Sequence, residues 1–355
     1  MKNKQLFYVG GYKNQSTHCL YSCIYNTSDG TLEIQTSYEI DNASYLCFSP
    51  NGRYLYSVLE EKNYKGRSGG AVAAFAVEGE GRLSYINEGF TDGSSPCHLS
   101  VSADGKILYV ANYSSGSTTV FDLLPTGGIG LQRHLLDHNN FGSPSRAVPG
   151  RQDGPHAHYV MEMYADGKYS LWLCDLGLDA ILKLDESNEV MEHYQTSAGF
   201  GPRHLAFHPS LPKVYAVGEL SCTVTEIGSV DEFSVLKEGD KSSTCAGIRI
   251  TPKAKYLLVS NRENEKKAGS ISILSLNDAG NITGLKKVIP SGGICPRDFD
   301  FNPAGDKLFV ANQESDSVNV FDWSEETGEL VSDGVALTVQ RPTCILFGKT
   351  HVNVI

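Results

Sequence analysis

HLSVSADGKILYVANYSSGSTTVFDL (98–123) decides the fold, because it holds three apolar strands separated by two polar turns. Its first half recurs along the chain as YLCFSPNGRYLYSV (45–58), HLAFHPSLPKVYAV (204–217), GIRITPKAKYLLVS (247–260) and DFDFNPAGDKLFVA (298–311), with a looser copy in HYVMEMYADGKYSLWLC (158–174). Turns rich in Pro, Asn, Asp and Gly between apolar strands are typical of β-hairpins. The repeat therefore indicates an all-β chain.

The second strand of the repeat gives the number of units. It occurs seven times, at Phe7-Tyr8-Val9, Leu55-Tyr56-Ser57, Leu108-Tyr109-Val110, Trp172-Leu173-Cys174, Val214-Tyr215-Ala216, Leu257-Leu258-Val259 and Leu308-Phe309-Val310. Successive copies lie roughly 40–65 residues apart, which is enough for a four-stranded propeller blade.

The two ends of the chain complete the count. The amino-terminal repeat begins at its second strand, whereas RPTCILF (341–347) is a spare first strand at the carboxyl end. Pairing the two covers both sheet edges. We therefore predict a seven-bladed β-propeller of four-stranded antiparallel blades, with residues 1–355 as a single domain and residues 341–347 paired to residues 5–9.

Residues 125–153 form an insertion that breaks the period. Part of it is expected to supply a fourth strand before the next first strand begins at residue 154, and the rest is expected to be a long loop. Long loops in compact domains are often functional or mobile. The sequence leaves the role of this insertion open.

The composition excludes several classes of partner. The net charge of −11 without a Lys/Arg-rich run disfavours nucleic acid and anionic membranes as partners. No apolar run is long enough to span a bilayer, and no export signal precedes the first strand. Nine dispersed cysteines then indicate reduced thiols in a cytoplasmic protein, expected to be a monomer or a weak homo-oligomer.

Polar residues gather where first strands begin and second strands end. Because the two strands of a hairpin are antiparallel, these positions lie at the same end of every blade, and in a propeller they surround one mouth of the central channel. The sequence places there His156, His158, Arg203, Glu219, Arg262, Arg297, Glu60, Asn112, Asn261 and Asn312. A concave site that combines acids, bases and cations is a candidate active site. The alternative is that some of these groups only cap strand ends, pair with one another or bind water.

At these residues the chain resembles the bacterial propeller-type 6-phosphogluconolactonases, which are related to the fungal carboxy-cis,cis-muconate lactonising enzymes. The resemblance covers essentially the whole chain and is most specific in GPHAH (154–158), GPRHLAFHP (201–209) and VYAVGEL (214–220). It implies hydrolysis of 6-phospho-D-glucono-1,5-lactone to 6-phosphogluconate, a step of the pentose phosphate pathway, without a cofactor or metal.

The resemblance also implies roles for individual residues. A His of GPHAH, Arg203 and Glu219 would handle the lactone, with Arg262 or Arg297 as a further cation, and the choice between His156 and His158 stays open. The residue types suit the reaction, since His or Glu can deprotonate water and Arg can stabilise an oxyanion or bind a phosphate. We expect Asn112, Asn261 and Asn312 to assist binding.

Three alternatives remain at this stage. A metal-dependent lactonase could use the Glu and Asn oxygens as Ca²⁺ ligands, although three arginines at the same mouth oppose a divalent cation. A muconate-type lactonising enzyme would also use an arginine cluster, because its substrate is rich in carboxylates. A non-catalytic binding propeller is the third alternative.

Overall fold

The computed structural model describes residues 3–165, 168–238, 243–263 and 267–348. The chain divides into two compact units, one formed by residues 39–203 and the other by residues 1–38 with 204–355. Within the described ranges, regular structure consists of β-strands and three short 3₁₀ helices. None of the helices found there is long and apolar enough to cross a membrane.

The unit of residues 39–203 holds three four-stranded sheets among its described residues. The first consists of β4 (Leu46–Phe48), β5 (Tyr54–Leu59), β8 (Ala71–Val77) and β9 (Leu83–Phe90), with a small hairpin of β6 (Asn63–Tyr64) and β7 (Arg67–Ser68) and the 3₁₀ helix η1 (Gly79–Gly81). The second consists of β10 (Pro96–Val101), β11 (Ile107–Asn112), β12 (Ser117–Leu123) and β13 (Ile129–Asp137), followed by the helix η2 (His138–Asn140). The third consists of β14 (Ala157–Ala165), β15 (Lys168–Asp175), β16 (Ala180–Leu184) and β17 (Val190–Gln195).

The other unit holds four further four-stranded sheets within its described ranges. One consists of β1 (Lys4–Gly11), β2 (His18–Asn26), β3 (Leu32–Glu39) and β30 (Pro342–Phe347). The next two consist of β18 (Pro202–Phe207), β19 (Val214–Gly218), β20 (Thr223–Glu226) and β21 (Glu232–Ser234), and of β22 (Ser243–Ile250), β23 (Tyr256–Glu263), β24 (Ala268–Leu276) and β25 (Ile282–Ile294). The last consists of β26 (Pro296–Phe301), β27 (Lys307–Asn312), β28 (Ser317–Ser324) and β29 (Glu329–Thr338), with the helix η3 (Gln313–Ser315) after β27.

The seven predicted second strands are confirmed. Each occupies the second position of a four-stranded sheet, as β1, β5, β11, β15, β19, β23 and β27. The repeated turns explain this regularity: Gly105 and Gly305 have φ values of 75° and 74°, which glycine adopts without strain. Ser102 Oγ and Asn302 Oδ1 each accept two backbone N–H groups from the far side of their turns. In the looser copy, the turn at residues 166–167 lies outside the described residues.

The predicted pairing of the chain ends is also confirmed. Strand β30 runs antiparallel to β1, with Phe7 opposite Phe347 and Val9 opposite Ile345. Both strands contribute to an apolar cluster in which Phe7, Phe309 and Phe347 pack with ring centroids 4.8–5.4 Å apart. The spare first strand at the carboxyl end therefore completes the sheet that begins at the amino terminus.

The core of each unit lies between successive sheets. Tyr56, Val58 and Val72 of the first sheet in the 39–203 unit pack against Leu99 and Phe121 of the second. Burying such alternating aliphatic and aromatic side chains against the next sheet provides the main stabilisation of a β fold. This packing fixes the polar ends of the strands, where the predicted site residues lie.

The insertion has a more regular structure than a plain loop. Its first part is β13, the expected fourth strand, and η2 follows directly. The next first strand begins at Ala157 and not at residue 154. The reason is local, because Pro155 has no N–H to give to a sheet and the N–H of His156 donates to the carboxylate of Asp175, at 2.8 Å.

Candidate active site

Within each hairpin, the start of the first strand lies beside the end of the second. Pro96 is opposite Asn112, Ala157 is opposite Asp175, and Pro296 is opposite Asn312. The predicted site residues therefore lie at corresponding ends of their sheets, because the same register recurs from one sheet to the next.

His156 is half-buried beside Tyr113, the residue after β11. The two rings stack with their centroids 4.5 Å apart and 12° between their planes. The Nδ1 atom of His156 lies 2.9 Å from the backbone carbonyl oxygen of Tyr113. A carbonyl oxygen can only accept, so Nδ1 carries the proton and the Nε2 of a neutral imidazole is left as an acceptor. No described residue forms a hydrogen bond with that Nε2.

His158 lies two residues further along β14 and is buried. Its ring centroid lies 5.3 Å from that of Tyr113, with 75° between the ring planes, and its Nδ1 lies 3.8 Å from Cys97 Sγ. The structure therefore brings both histidines of GPHAH to the same tyrosine. Only His156 is half-exposed, and a base must reach solvent to activate water.

Arg203 is buried at the start of β18. Two residues before it, the N–H of Gly201 donates to Asp179 Oδ1 at 2.7 Å. The backbone N–H of His156 likewise donates to Asp175. One carboxylate therefore holds the backbone at the start of β14, and the other holds the segment before β18. Neither aspartate is among the site residues predicted from the sequence.

Glu219 and Arg262 form a largely buried ion pair, with 2.9 Å between Glu219 Oε2 and Arg262 Nη2. The same nitrogen donates to the carbonyl oxygen of Cys245 at 2.7 Å. A carboxylate that is paired with a guanidinium is stabilised in its charged form and is a weaker base than an unpaired one.

Arg297 lies in a cluster that the sequence did not indicate. Its guanidinium and that of Arg341 are each 5.8 Å from the ring centroid of Tyr12, and Arg297 Nη2 is 3.4 Å from the Tyr12 hydroxyl. Arg341 also pairs with Glu314 at 2.8 Å. Burial alone would raise the pKa of Glu314, but hydrogen bonds from Arg341 and Gln313 and the charges of Arg341 and Arg297 outweigh it and lower that pKa. The cluster therefore favours an anion.

The three predicted asparagines are fully buried at the ends of β11, β23 and β27. Their amides donate to groups of their own sheet or of the segment beside it: Asn112 to Ser117 and Thr119, Asn261 to Ser270 and Ser272, and Asn312 to Asn319 and the carbonyl oxygen of Ser291. The contacts of these amides are those of strand-end caps, the alternative weighed from the sequence.

The two glutamates that follow β5 have partners within the protein. Ser44 Oγ donates to Glu60 Oε2, and Asn42 Nδ2 donates to Glu61 Oε1 at 2.9 Å. In the part of the chain that the structure describes, no three His, Cys, Asp or Glu side chains are grouped as a metal site would require.

Comparison with known proteins identifies the class. A family model described as lactonase, 7-bladed beta-propeller, matches residues 6–347. The chain therefore belongs to the family of seven-bladed β-propeller lactonases, enzymes that hydrolyse cyclic carboxylic esters, and the predicted family and fold class are confirmed.

Individual relatives narrow the comparison. The chain is 33% identical to the 6-phosphogluconolactonase of Formosa agariphila over 86% of this chain and 88% of that one. It is 28% identical to the 6-phosphogluconolactonase of Bacillus subtilis, over 97% and 98%. Among solved structures it is similar to the periplasmic gluconolactonase of Pseudomonas aeruginosa, with a TM-score of 0.87 and 25% identity over 98% of this chain and 99% of that one.

Proposed function

We propose that this lactonase hydrolyses 6-phospho-D-glucono-1,5-lactone to 6-phosphogluconate, the activity named for two of its relatives. The reaction opens a six-membered ester, so it needs an activated water, a cation at the carbonyl oxygen and a proton for the departing ring oxygen. The observation that carries the proposal is the hydrogen bond of His156 Nδ1 to the Tyr113 carbonyl oxygen, at 2.9 Å.

That hydrogen bond leaves His156 Nε2 as the basic atom. In the proposed mechanism it accepts a proton from water while the water oxygen bonds to the lactone carbonyl carbon. When the tetrahedral intermediate collapses, the bond from that carbon to the ring oxygen breaks, and the imidazolium returns its proton to the ring oxygen. General base catalysis of this kind contributes about 10²–10⁴-fold.

We assign stabilisation of the oxyanion to Arg203. A guanidinium removed from bulk water interacts more strongly with developing negative charge than an exposed one does. The buried position of Arg203 at the start of β18, a strand end equivalent to that of His156, supports this role. His158 then supports Tyr113 from its edge and is not the base.

Two further roles follow from the contacts of the remaining charged residues. We assign the Glu219–Arg262 pair to holding the end of β19 against β22 and β23, because each partner neutralises the other. We assign binding of the substrate phosphate to Arg297 together with Arg341, since guanidinium groups bind phosphate through paired, charge-assisted hydrogen bonds. Asn112, Asn261 and Asn312 act as strand caps in this proposal.

The test is a panel of freshly prepared lactones, comprising phosphorylated and free glucono-1,5-lactone and a muconolactone, assayed at mildly acidic pH to limit spontaneous opening. We expect the highest kcat/KM with the phosphorylated sugar. A higher kcat/KM with the free sugar lactone would mean that the protein is a gluconolactonase, as the Pseudomonas aeruginosa protein is named. Absence of turnover throughout would favour a binding propeller, and loss of activity in chelator would favour a metal-dependent enzyme.

We also propose that the enzyme works in the cytoplasm. All nine cysteines are free thiols, and seven of them are buried. Reduced cysteines are usual in cytoplasmic proteins. Localisation of the tagged protein by cell fractionation tests this, and recovery from the periplasm or the medium would contradict it.

A further inference from the structure

The insertion of residues 125–153 forms hydrogen bonds to two aspartates near the end of β15. Asp175 is the last residue of β15, Asp179 ends the turn that follows, and both are fully buried. Buried carboxylates need several hydrogen bonds to offset the loss of hydration. The partners of these two carboxylates lie both in the insertion and in the segments that lead to His156 and Arg203.

Asp175 connects the insertion to His156. Its Oδ2 lies 2.7 Å from Nδ1 of His138, a fully buried residue of η2. Its Oδ1 accepts the N–H groups of His156, Gly177 and Leu178 at 2.8–3.0 Å. One side of the carboxylate is thus held by the insertion, while the other fixes the backbone that carries His156.

His138 is itself fixed on its second nitrogen. Its Nε2 lies 2.9 Å from Thr118 Oγ1, and its backbone N–H donates to the carbonyl oxygen of Gly116 at 3.0 Å. The imidazole therefore connects β12 to Asp175, and its orientation is set at both ring nitrogens.

Asp179 makes an equivalent connection toward Arg203. Its carboxylate accepts from Ser145 Oγ and Gln152 Nε2 of the insertion, at 2.5 and 2.7 Å. It also accepts the N–H groups of Gly199 and Gly201, both at 2.7 Å. Arg203 follows two residues later, so the second aspartate fixes the segment that leads into it.

We propose that Asp175 and Asp179 are positioning residues of the lactonase, which use the insertion as a fixed brace to set the backbone at His156 and before Arg203. The inference rests on the proposed function, because it assigns those two residues to the reaction. It gives the insertion a role that differs from a mobile loop, since residues 138–152 supply three side-chain partners to buried carboxylates.

Kinetics distinguish positioning from stabilisation of the fold alone. We expect His138→Ala and Asp179→Asn to lower kcat about 10–100-fold, the usual cost of losing a group that orients a catalytic residue, with KM changed less than about 3-fold. His138→Asn keeps an N–H donor near the Nδ1 position and should recover most of the loss. Ser145→Ala, which removes one of the four partners of Asp179, is a milder variant in case the others fold poorly.

A control and a second readout make the outcome decisive. Ser102→Ala removes two hydrogen bonds from the backbone N–H groups of Lys106 and Ile107, at 3.1 and 2.9 Å, outside the insertion, and should lower stability without lowering kcat. Nitrogen-15 NMR of the labelled histidines should show His156 protonated at Nδ1 in the native protein and a mixture of tautomers in His138→Ala. Because this signal does not depend on turnover, it tests the brace even if the lactonase proposal fails. Native kcat with an unchanged His156 signal in folded His138→Ala and Ser145→Ala would overturn the inference while leaving the lactonase proposal intact.

Discussion

His156 and His158 show how little, at the residue scale, separates the residue that we propose as the base from a residue that packs beside it. Both rings contact Tyr113, but the Nδ1 of His156 meets a carbonyl oxygen and the Nδ1 of His158 meets the thiol of Cys97. The first contact fixes which nitrogen carries the proton, whereas a thiol can donate or accept and fixes nothing. The two residues are alike in sequence context, so only the contacts distinguish them.

Asp300 carries a residue-scale prediction about stability. Burial raises its pKa to about 6, partly offset by Arg249, while the neighbouring charge of Asp298 raises it further. A carboxyl whose pKa is higher in the folded state binds its proton more tightly there, so its effect on stability is most favourable below the unfolded pKa and is lost as pH rises through about 6.

We therefore expect Asp300→Asn to be more stable than the native protein at pH 8, by about 1–2 kcal/mol after allowance for partial solvent exposure. At pH 4 the two proteins should be nearly equal, because Asp300 is then protonated in the native fold. Urea unfolding at both pH values measures the difference. A variant that is destabilised equally at pH 4 and pH 8 would show that the ionised carboxylate of Asp300 does not destabilise the native fold.

At the scale of elements, the ends of three strands form the arginine cluster. Tyr12 follows β1, Arg297 lies in β26, and Arg341 precedes β30, with Glu314 of η3 beside them. Glu314 forms an ion pair with the guanidinium of Arg341, and a bound phosphate would compete for the same group. Removing the carboxylate of Glu314 and removing the guanidinium of Arg341 should therefore change the affinity for phosphate in opposite directions.

Calorimetric titration with inorganic phosphate tests this cluster. We expect Arg341→Gln to weaken binding by roughly 10-fold, because a charge-assisted contact is lost, and Glu314→Gln to tighten it several-fold. Arg133→Gln is the matched control, since Arg133 is also half-exposed and paired with a carboxylate, that of Asp122. If Glu314→Gln weakened binding as Arg341→Gln does, the anion would not bind at this cluster.

Glycines at the starts of third strands allow successive sheets to pack closely. A Cβ added to Gly269 would overlap the ring of Pro296, and one added to Gly70 would overlap the ring of Pro96. In each pair the proline begins the first strand of the following sheet. The Gly and Pro of this repeat are thus explained by contact between sheets as well as by turn geometry.

Gly269→Ala should destabilise the protein by about 1–3 kcal/mol, the usual cost of overpacking a tight contact. Gly79→Ala, at a site where an added Cβ meets nothing within 4 Å, should change the unfolding free energy by less than about 0.5 kcal/mol. Chemical denaturation of both variants provides the comparison. Equal stability of the two would mean that the sheets separate easily at Pro296.

For the whole molecule, the sequence predicted the number of sheets because one hairpin with characteristic turn residues recurs, and it predicted the pairing of β1 with β30 because each lacked a partner. The buried connections could not be predicted. Asp175 bonds to His138, 37 residues earlier, and Asp179 bonds to Gln152, 27 residues earlier. The insertion interrupts the repeat, so no pattern relates those positions. Likewise, an Asn at a strand end reads as a ligand or as a cap until its hydrogen-bond partners are known.

The most direct test of the central claim is kcat for 6-phospho-D-glucono-1,5-lactone in the native protein and in His156→Asn. Asparagine keeps an N–H for the Tyr113 carbonyl oxygen but has no basic nitrogen at the Nε2 position. The account predicts a fall of about 10²–10⁴-fold in kcat with the fold preserved, and native kcat in His134→Asn, which changes an exposed histidine of β13. Native kcat in folded His156→Asn would contradict the account.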